Sequence, residues 1–385
     1  MQLLARTREI LGELISFPTV SADSNLELIA YAADLLSEAG AALSISRDET
    51  GAKANLFATL GPHVDGGIVL SGHTDVVPVD DQEWTGDPFV MDERGGLLYG
   101  RGTCDMKGFV AACLAMAPAY AKLDLKRPVH FAFTYDEETG CFGARALMAE
   151  IAKADFRPSV AIIGEPTSMR VIEGHKGCYE YTTEFIGREG HGSQPDLGVN
   201  AVEYAVRYIG KLLDIGEHLK GRAPPQSRFD PPWTTIQVGR IAGGAARNVI
   251  AGRCEVEWEM RPVQDTDVSF VKSDIEAYVD GVLKPAMKAV SPGADVITHT
   301  IGEVEGLQVA SESEARDIVS ELTGADEADV VAFGTEAGLF QAAGMSAVIC
   351  GPGSIEQAHK PDEYIALDQL QACLDMLERL KSKIS

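Results

Sequence analysis

The amino-acid sequence predicts an α/β protein, in which helices flank a β-sheet and a smaller ferredoxin-like α+β domain is inserted. Apolar runs that end in polar residues alternate with segments of helical spacing, which is typical of an open α/β sheet. Between residues 176 and 303 the pattern changes to β-α-β-β-α-β. At 385 residues, the chain also exceeds what one hydrophobic core usually supports. We therefore predict a larger domain at residues 1–175 and 304–385 and an inserted domain at 176–303.

Hydrophobic spacing predicts the elements of the larger domain. Leucines and alanines recur at helical intervals over residues 3–14 and 24–39, where Ser24 can serve as the N-cap and Gly40 follows the second helix. Short apolar runs predict strands, and the segments between them predict further helices. The strands are expected at residues 55–60, 68–75, 129–135, 159–163 and 346–350, and the helices at 109–121 and 143–153.

The inserted domain is predicted from the same two periodicities. Its strands are expected at residues 177–187, 234–241, 253–261 and 295–303, and its helices at 201–218 and 268–289.

Four apolar runs of the larger domain deliver acidic side chains or histidines at or soon after their C-terminal ends. In an open α/β sheet the site lies outside the carboxyl ends of the strands, so we expect these side chains to cluster. They are His73, Asp75, Glu137, Glu138, Glu165 and His359.

Asp105 lies just ahead of the helix expected at residues 109–121. An aspartate in that position is often only a helix cap, which stays the alternative. The glycines around it, Gly100, Gly102 and Gly108, allow the backbone to approach a ligand closely, and a cap does not need this. We therefore add Asp105 to the candidate site.

Two imidazoles and several carboxylates suit zinc, cobalt or manganese, and one carboxylate can bridge the ions of a two-metal site that hydrolyses amides. Asp75, two positions beyond His73, can accept the proton of the other ring nitrogen and so orient the imidazole. For His73 alone, a strand-end histidine satisfied by its neighbours is the alternative. The clustering of candidates favours a dinuclear hydrolase.

Composition excludes several classes of partner. The formal net charge of -25, from 58 acidic and 33 basic residues, argues against nucleic acid or an anionic membrane surface. Seven scattered cysteines without C-x-x-C pairs argue against a disulfide framework and fit a reducing cytoplasm. Charges near the N-terminus argue against a signal peptide, and no apolar run approaches the length of a membrane span. We expect a soluble, cytoplasmic protein that acts on a small molecule.

Several short motifs carry a resemblance to a known family. They are S-G-H-T-D (71–75), G-R-G-T-C-D-M-K-G (100–108), D-E-E-T-G (136–140), G-E-P-T (164–167), G-H-G-S-Q-P (190–195) and G-P-G-S-I-E-Q-A-H-K-P-D-E-Y (351–364). The chain resembles, over nearly its whole length, the zinc-dependent peptidases and deacylases. That family includes aminoacylase, carboxypeptidase G, succinyl-diaminopimelate desuccinylase and acetylornithine deacetylase.

The resemblance implies a zinc-peptidase-like catalytic domain with a mixed β-sheet flanked by helices, and an inserted ferredoxin-like lid and dimerisation domain. It implies two Zn²⁺ per subunit, with Co²⁺ as a substitute. Asp105 would bridge the two ions. The remaining roles it implies are His73 and Glu165 completing one site, Glu138 and His359 completing the other, Glu137 as general base, and Asp75 orienting His73.

The resemblance also implies a homodimer through the inserted domain. His191 matches the family histidine that reaches into the partner's cleft and stabilises the oxyanion. The alternative is a loop histidine without a catalytic role.

Substrate choice rests on finer similarities. The segment G-T-E-A (334–337) and the final motif look most like acetylornithine deacetylase, and the resemblance makes Glu336 in that segment a candidate substrate-binding residue. The segment 243–250, which contains Asn248, and Arg261 match positions that hold the substrate's α-carboxylate in relatives. For Arg261, pairing with Glu259 or Asp265 is the alternative.

The implied reaction is deacetylation of N2-acetyl-L-ornithine to L-ornithine and acetate in arginine biosynthesis. Succinyl-diaminopimelate desuccinylase and a broader N-acyl-amino-acid deacylase or dipeptidase are alternatives of the same class. A metal-free binding or scaffold protein on the same fold is the alternative from another class. It would be expected to lack the metal ligands, all of which are present in the sequence.

Overall fold

The structure is a computed structural model that describes residues 2–385. Its α-helices are α1 (Gln2–Ser16), α2 (Leu26–Glu38), α3 (Lys107–Tyr120), α4 (Phe142–Ile151), α5 (Ala201–Lys220), α6 (Asp265–Tyr278), α7 (Lys284–Val290), α8 (Glu314–Thr323), α9 (Ala337–Ala342) and α10 (Leu367–Ile384). Its strands are β1 (Ala42–Arg47), β2 (Ala54–Leu60), β3 (Ile68–His73), β4 (Asp92–Arg94), β5 (Leu97–Tyr99), β6 (Val129–Thr134), β7 (Val160–Pro166), β8 (Ile172–His175), β9 (Cys178–Ile186), β10 (Gly190–His191), β11 (Thr235–Gly243), β12 (Val249–Ile250), β13 (Arg253–Arg261), β14 (Asp295–Val304), β15 (Asp329–Val331), β16 (Ser346–Gly351) and β17 (Tyr364–Ala366).

The described chain divides into two compact units. The first contains residues 2–174, 307–330 and 335–385 and is called the catalytic unit after the expectation from the sequence. The second, the inserted unit, contains residues 175–306 and 331–334. The sequence predicts boundaries at 176 and 303, close to these limits. It does not predict the return of residues 331–334 to the inserted unit, because so short a segment carries no periodicity of its own.

The main sheet of the catalytic unit is mixed, as predicted. Within the described residues, its strand order is β1-β2-β6-β3-β7-β16-β8-β15. The four central strands, β6, β3, β7 and β16, run parallel, whereas β1, β2 and β8 pair antiparallel with their neighbours. These four are the apolar runs that the sequence analysis connects to candidate ligands. Their carboxyl ends therefore meet at one edge of the sheet.

Helix α3 positions the polar loop that precedes it. Most of its side chains are buried, because apolar residues cover every face of the helix. Glycines on the underlying strands permit close packing: a Cβ on Gly164 of β7 would lie 2.0 Å from the ring of Phe109, and one on Gly72 of β3 would lie 3.0 Å from Met106. The start of α3 therefore packs directly on the sheet. Asp105, just before it, lies near the edge at which the carboxyl ends of the parallel strands meet.

The inserted unit contains a four-stranded antiparallel sheet in the order β11-β13-β9-β14. Burial alternates along β9 and β13, so each of these strands has one packed face. Tyr181, Phe185 and Trp258 pack there in one apolar cluster with Tyr208 of α5 and Val271 of α6. The succession of strands and helices is the one expected for a ferredoxin-like unit.

Several details differ from the sequence expectations. Helix α2 begins at Leu26 with Asn25 at its cap position, so Ser24 is not the N-cap; the Ser24 hydroxyl donates instead to the carbonyl oxygen of Ala52 at 2.6 Å. The single helix expected at residues 268–289 is α6 and α7, joined by a π-helical turn at Val279–Leu283. Within residues 2–385, no helix combines the length and apolar character needed to cross a membrane.

Candidate metal centre

The predicted ligands lie together at the edge of the main sheet where the carboxyl ends of the parallel strands meet. His73 is the last residue of β3, Glu165 lies in β7, and Asp105 lies two residues before α3. Glu138 follows β6, and His359 follows β16 after a short 3-10 turn at Ile355–Gln357. The parallel arrangement of the strands therefore brings together residues that lie far apart in the sequence.

Asp105 lies between the two histidines. Its Oδ1 is 3.0 Å from Nε2 of His73, and its Oδ2 is 3.3 Å from Nε2 of His359. Glu165 Oε1 lies 3.8 Å from the same nitrogen of His73, and Glu138 Oε2 lies 3.1 Å from that of His359. One carboxylate thus connects two groups of ligand atoms.

Spacing tests whether these residues fit divalent ions. Ligand atoms of His73, Asp105 and Glu138 lie within 4.8 Å of one another, as do those of His73, Glu137 and Glu165. Imidazole nitrogens and carboxylate oxygens are the donors that zinc and related ions take in hydrolases. Both groups contain His73, so donor type and spacing fit a divalent ion beside it. A second ion is supported by the contacts of His359 with Asp105 at 3.3 Å and with Glu138 at 3.1 Å.

Charge provides a second test. Burial is the largest cause that raises the pKa values of Glu137, Glu138 and Glu165 above their usual range, and neighbouring carboxylates raise them further. Hydrogen bonds to Asp105 and Glu138 raise the pKa of His359 to about 10. Burial acts to raise the pKa of Asp105, but hydrogen bonds from His359 and His73 lower it below its usual range. The cluster holds more negative charge than its histidines can balance, which a pair of divalent cations would offset.

The two halves of this centre differ in exposure. His73 is 1% exposed and Glu165 is also buried, because both lie on central strands. The side chain of His359 is 53% exposed and its φ of +62° is in the left-handed region. Glu138 lies in the turn after β6. The half that contains His359 is therefore built on loops rather than on strands.

Asp75 makes contacts that the sequence did not predict. The atom nearest to His73 Nδ1 is the main-chain oxygen of Asp75, at 2.9 Å, while its carboxylate is 3.6 Å away. The carboxylate instead accepts hydrogen bonds from Ser21 Oγ at 2.7 Å and from the amides of Glu137 and Glu138 at 3.1 and 3.3 Å. Because a carbonyl oxygen only accepts, Nδ1 of His73 carries the proton and Nε2 faces the centre.

His191 and Asn248 lie in one arm of the inserted unit. Residues 190–191 (β10) pair antiparallel with residues 249–250 (β12), and the amide of Gly192 donates to the carbonyl oxygen of Asn248 at 2.8 Å. Nδ1 of His191 lies 2.7 Å from the hydroxyl of Ser193, and the imidazole is exposed. The roles of His191 and Asn248 stay predictions.

Arg261 and Glu336 each have partners in the structure. Arg261 donates from Nε and Nη2 to Glu259 Oε2, at 3.1 and 2.7 Å, which is the alternative that the sequence left open. The buried carboxylate of Glu336 accepts hydrogen bonds from Ser71 at 2.6 Å and Thr134 at 2.9 Å. Substrate binding by either residue stays a prediction.

Two positioning residues were missed at the sequence level. The carboxylate of Glu363 accepts hydrogen bonds from the amides of Gly102, Cys104 and Asp105, at 3.1, 2.8 and 3.0 Å. Arg101 Nη1 donates to the same carboxylate at 2.7 Å, and both side chains are buried. The signal was a charged residue without an assigned role in each of two motifs, G-R-G and D-E-Y.

Comparisons with known proteins indicate the family of this chain. Residues 69–383 match the model of peptidase family M20/M25/M40. Acetylornithine deacetylase from Salmonella arizonae is 37% identical over 367 residues, which cover 93% of this chain and 92% of that protein. Acetylornithine deacetylase from Photorhabdus laumondii subsp. laumondii is 38% identical over 364 residues, covering 93% and 91%.

Solved structures agree on the fold. An M20 family metallo-carboxypeptidase from Sulfolobus solfataricus has a TM-score of 0.76 at 16% identity, covering 97% of this chain and 98% of its own. A dinuclear metal-binding peptidase from Bacillus subtilis has a TM-score of 0.67 at 16% identity, covering 99% and 98%. The family match and the curated relatives make this chain a metal-dependent amidohydrolase. The chain belongs to peptidase family M20/M25/M40.

Proposed function

We propose that this chain hydrolyses the amide bond of an N-acyl amino acid at a centre of two Zn²⁺ ions, which Co²⁺ can replace. The observation that carries the proposal is Asp105, whose two carboxylate oxygens face different histidines at 3.0 and 3.3 Å. In the proposed centre, Asp105 would hold both ions. The other ligands would be His73 and Glu165 on one side and Glu138 and His359 on the other.

Divalent ions bound at this centre would polarise the acyl oxygen and lower the pKa of a nearby water. Glu137 takes a proton from the attacking water and passes it to the leaving amine nitrogen, so that it acts first as base and then as acid. Burial raises its pKa above the usual glutamate range. The Asp75 carboxylate accepts hydrogen bonds from the amides of Glu137 and Glu138. These bonds fix the position of the base relative to the adjacent metal ligand.

We propose N2-acetyl-L-ornithine as the substrate, with L-ornithine and acetate as products, in arginine biosynthesis. The curated relatives of this name support the choice. The proposed substrate-binding residues are Asn248, Arg261 and Glu336. Arg261 exchanges its bond to Glu259 for the substrate's carboxylate, and Glu336 acts through Ser71 and Thr134, which it already contacts.

We further propose a homodimer formed through the inserted unit, in which His191 donates to the oxyanion in the partner's cleft. Such a donor lowers the barrier by about 3 kcal/mol. Exposed apolar side chains on α5, Val206 and Leu213, support a partner on this unit. Strand β11 lies at the edge of its sheet and can extend pairing to a second copy. The proposed location is the cytoplasm, as the scattered cysteines suggest.

A substrate panel tests the proposal. The purified chain is stripped of metal, reloaded with Zn²⁺ or Co²⁺, and assayed with acetylornithine, succinyl-diaminopimelate and acetylmethionine. We expect metal-dependent hydrolysis with the highest kcat/KM on acetylornithine. Preference for the succinyl substrate would replace the proposed substrate, whereas equal activity with and without metal would refute the metal-dependent mechanism.

A further inference from the structure

Gln82 connects the loop after β3 to the loop that carries His359. Its Nε2 donates to the main-chain oxygen of His359 at 2.9 Å. Its Oε1 accepts hydrogen bonds from Arg101 Nη2 at 2.6 Å and from the indole nitrogen of Trp84 at 3.1 Å. The oxygen of the Gln82 side-chain amide is therefore fixed by Arg101 and Trp84, and its nitrogen binds the main chain of His359.

The same contacts continue to Asp105. Arg101, which donates to Gln82, also donates to Glu363, and the Glu363 carboxylate accepts the amide of Asp105. A continuous series of hydrogen bonds thus runs from the Asp105 main chain through Glu363, Arg101 and Gln82 to the His359 main chain. All five residues belong to the catalytic unit. This series spans the two loops whose side chains, Asp105 and His359, approach each other to 3.3 Å.

His359 needs such support more than His73 does. His73 is held by the hydrogen-bonded ladder of a buried strand. His359 lies on a loop, is half exposed and has a left-handed backbone conformation, which persists only where the surroundings hold it. The residue before Gln82, Asp81, and the residue before Glu363, Asp362, are also left-handed.

We propose that Gln82 is a positioning residue for the half of the metal centre that contains Glu138 and His359. It sets the place of His359 relative to Asp105, and through Arg101 and Glu363 it couples the two ligand loops. This inference rests on the proposed dinuclear centre. It does not depend on the identity of the substrate.

Metal titration of a Gln82→Met variant tests the inference, since methionine keeps the length of the side chain without its hydrogen bonds. The metal-free protein is titrated with Co²⁺, and binding is followed by calorimetry and by the visible absorption of the bound ion. We expect one of the two equivalents to bind about 10- to 100-fold more weakly, as is typical when a contact that orients a ligand is lost. The other equivalent should bind as in the wild type.

Gln371→Met is the matched control, because Gln371 is a partly exposed residue of α10 and donates an exposed hydrogen bond to Asp375 at 2.8 Å. It should leave both binding steps unchanged. In the Gln82→Met variant, unchanged binding of both equivalents, or equal weakening of both, would overturn the inference. A wild-type protein that binds only one ion would refute the dinuclear centre itself, and one that binds two without hydrolysing the substrate panel would refute only the proposed function.

Discussion

At the scale of single residues, Asp105 tests the bridging arrangement. Asp105→Ala removes a ligand from both halves of the centre at once, so each half keeps two protein ligands and the ions lose the charge between them. We expect the dialysed variant to retain less than one ion per chain, measured by elemental analysis. Asp34→Ala, an exposed change on α2, is the control and should retain the wild-type metal content. Two equivalents in the Asp105 variant would disprove bridging.

Substitutions of the adjacent residues Glu137 and Glu138 test which of them is the general base and which is a metal ligand. Glu137→Gln keeps the shape of the side chain but removes the proton acceptor, so we expect near-normal metal content and a kcat lower by about 10²-fold or more. Glu138→Gln should instead lower the metal content, because an amide is a weaker ligand than a carboxylate. Elemental analysis and kcat are measured on both variants. The opposite pattern would mean that the two roles are reversed.

At the scale of elements, the contact between α3 and β7 has measurable consequences. A methyl group on Gly164 would overlap the ring of Phe109, which is fully buried. We expect Gly164→Ala to lower the free energy of unfolding by about 1–3 kcal/mol. Because Glu165 is the next residue, metal affinity should fall as well. Denaturant unfolding of the metal-free protein gives the first quantity.

Gly86→Ala is the matched control for this change. No atom lies within 4 Å of the Cβ position there, so the substitution should alter stability by less than about 0.5 kcal/mol. A second variant, Gly164→Ala with Phe109→Leu, should recover part of the lost metal affinity, because the smaller side chain makes room for the methyl group. Wild-type stability of Gly164→Ala would contradict the packing argument.

At the scale of the whole molecule, His191 tests the proposed dimer. If it donates to the oxyanion, His191→Ala should lower kcat far more than it raises KM, because the bond forms mainly in the transition state. Metal content and folding should not change, since His191 belongs to the inserted unit and the metal ligands belong to the catalytic unit.

Subunit exchange extends this test. Inactive His191→Ala and inactive Glu137→Gln proteins are mixed under conditions that exchange subunits. One cleft of each hybrid dimer then receives an intact Glu137 and an intact His191, so part of the activity should return. Hybrid dimers that form but stay inactive would show that His191 does not act in the partner's cleft.

The sequence by itself determined the type of fold and the set of candidate ligands. Apolar runs followed by His73, Glu137, Glu165 and His359 are a local signal, and the rule that ligands gather at the carboxyl ends of parallel strands turns that signal into a cluster. The structure places these strands side by side in the centre of the sheet. This much was predictable because a short stretch of sequence shows both that a run is a buried strand and that polar residues follow its C-terminal end.

Only the tertiary structure decided which atoms hold the ligands in place. Ser21 binds Asp75, Glu363 binds the Asp105 loop, and Gln82 binds the main chain of His359, across separations of 54, 258 and 277 residues. Hydrogen-bond partners of this kind depend on which loops lie next to each other in the folded chain. Loop sequences have no periodicity from which that proximity can be predicted. For the same reason, the sequence predicted that Asp75 contacts His73 but could not show that the contact is made by the main-chain oxygen of Asp75 rather than by its carboxylate.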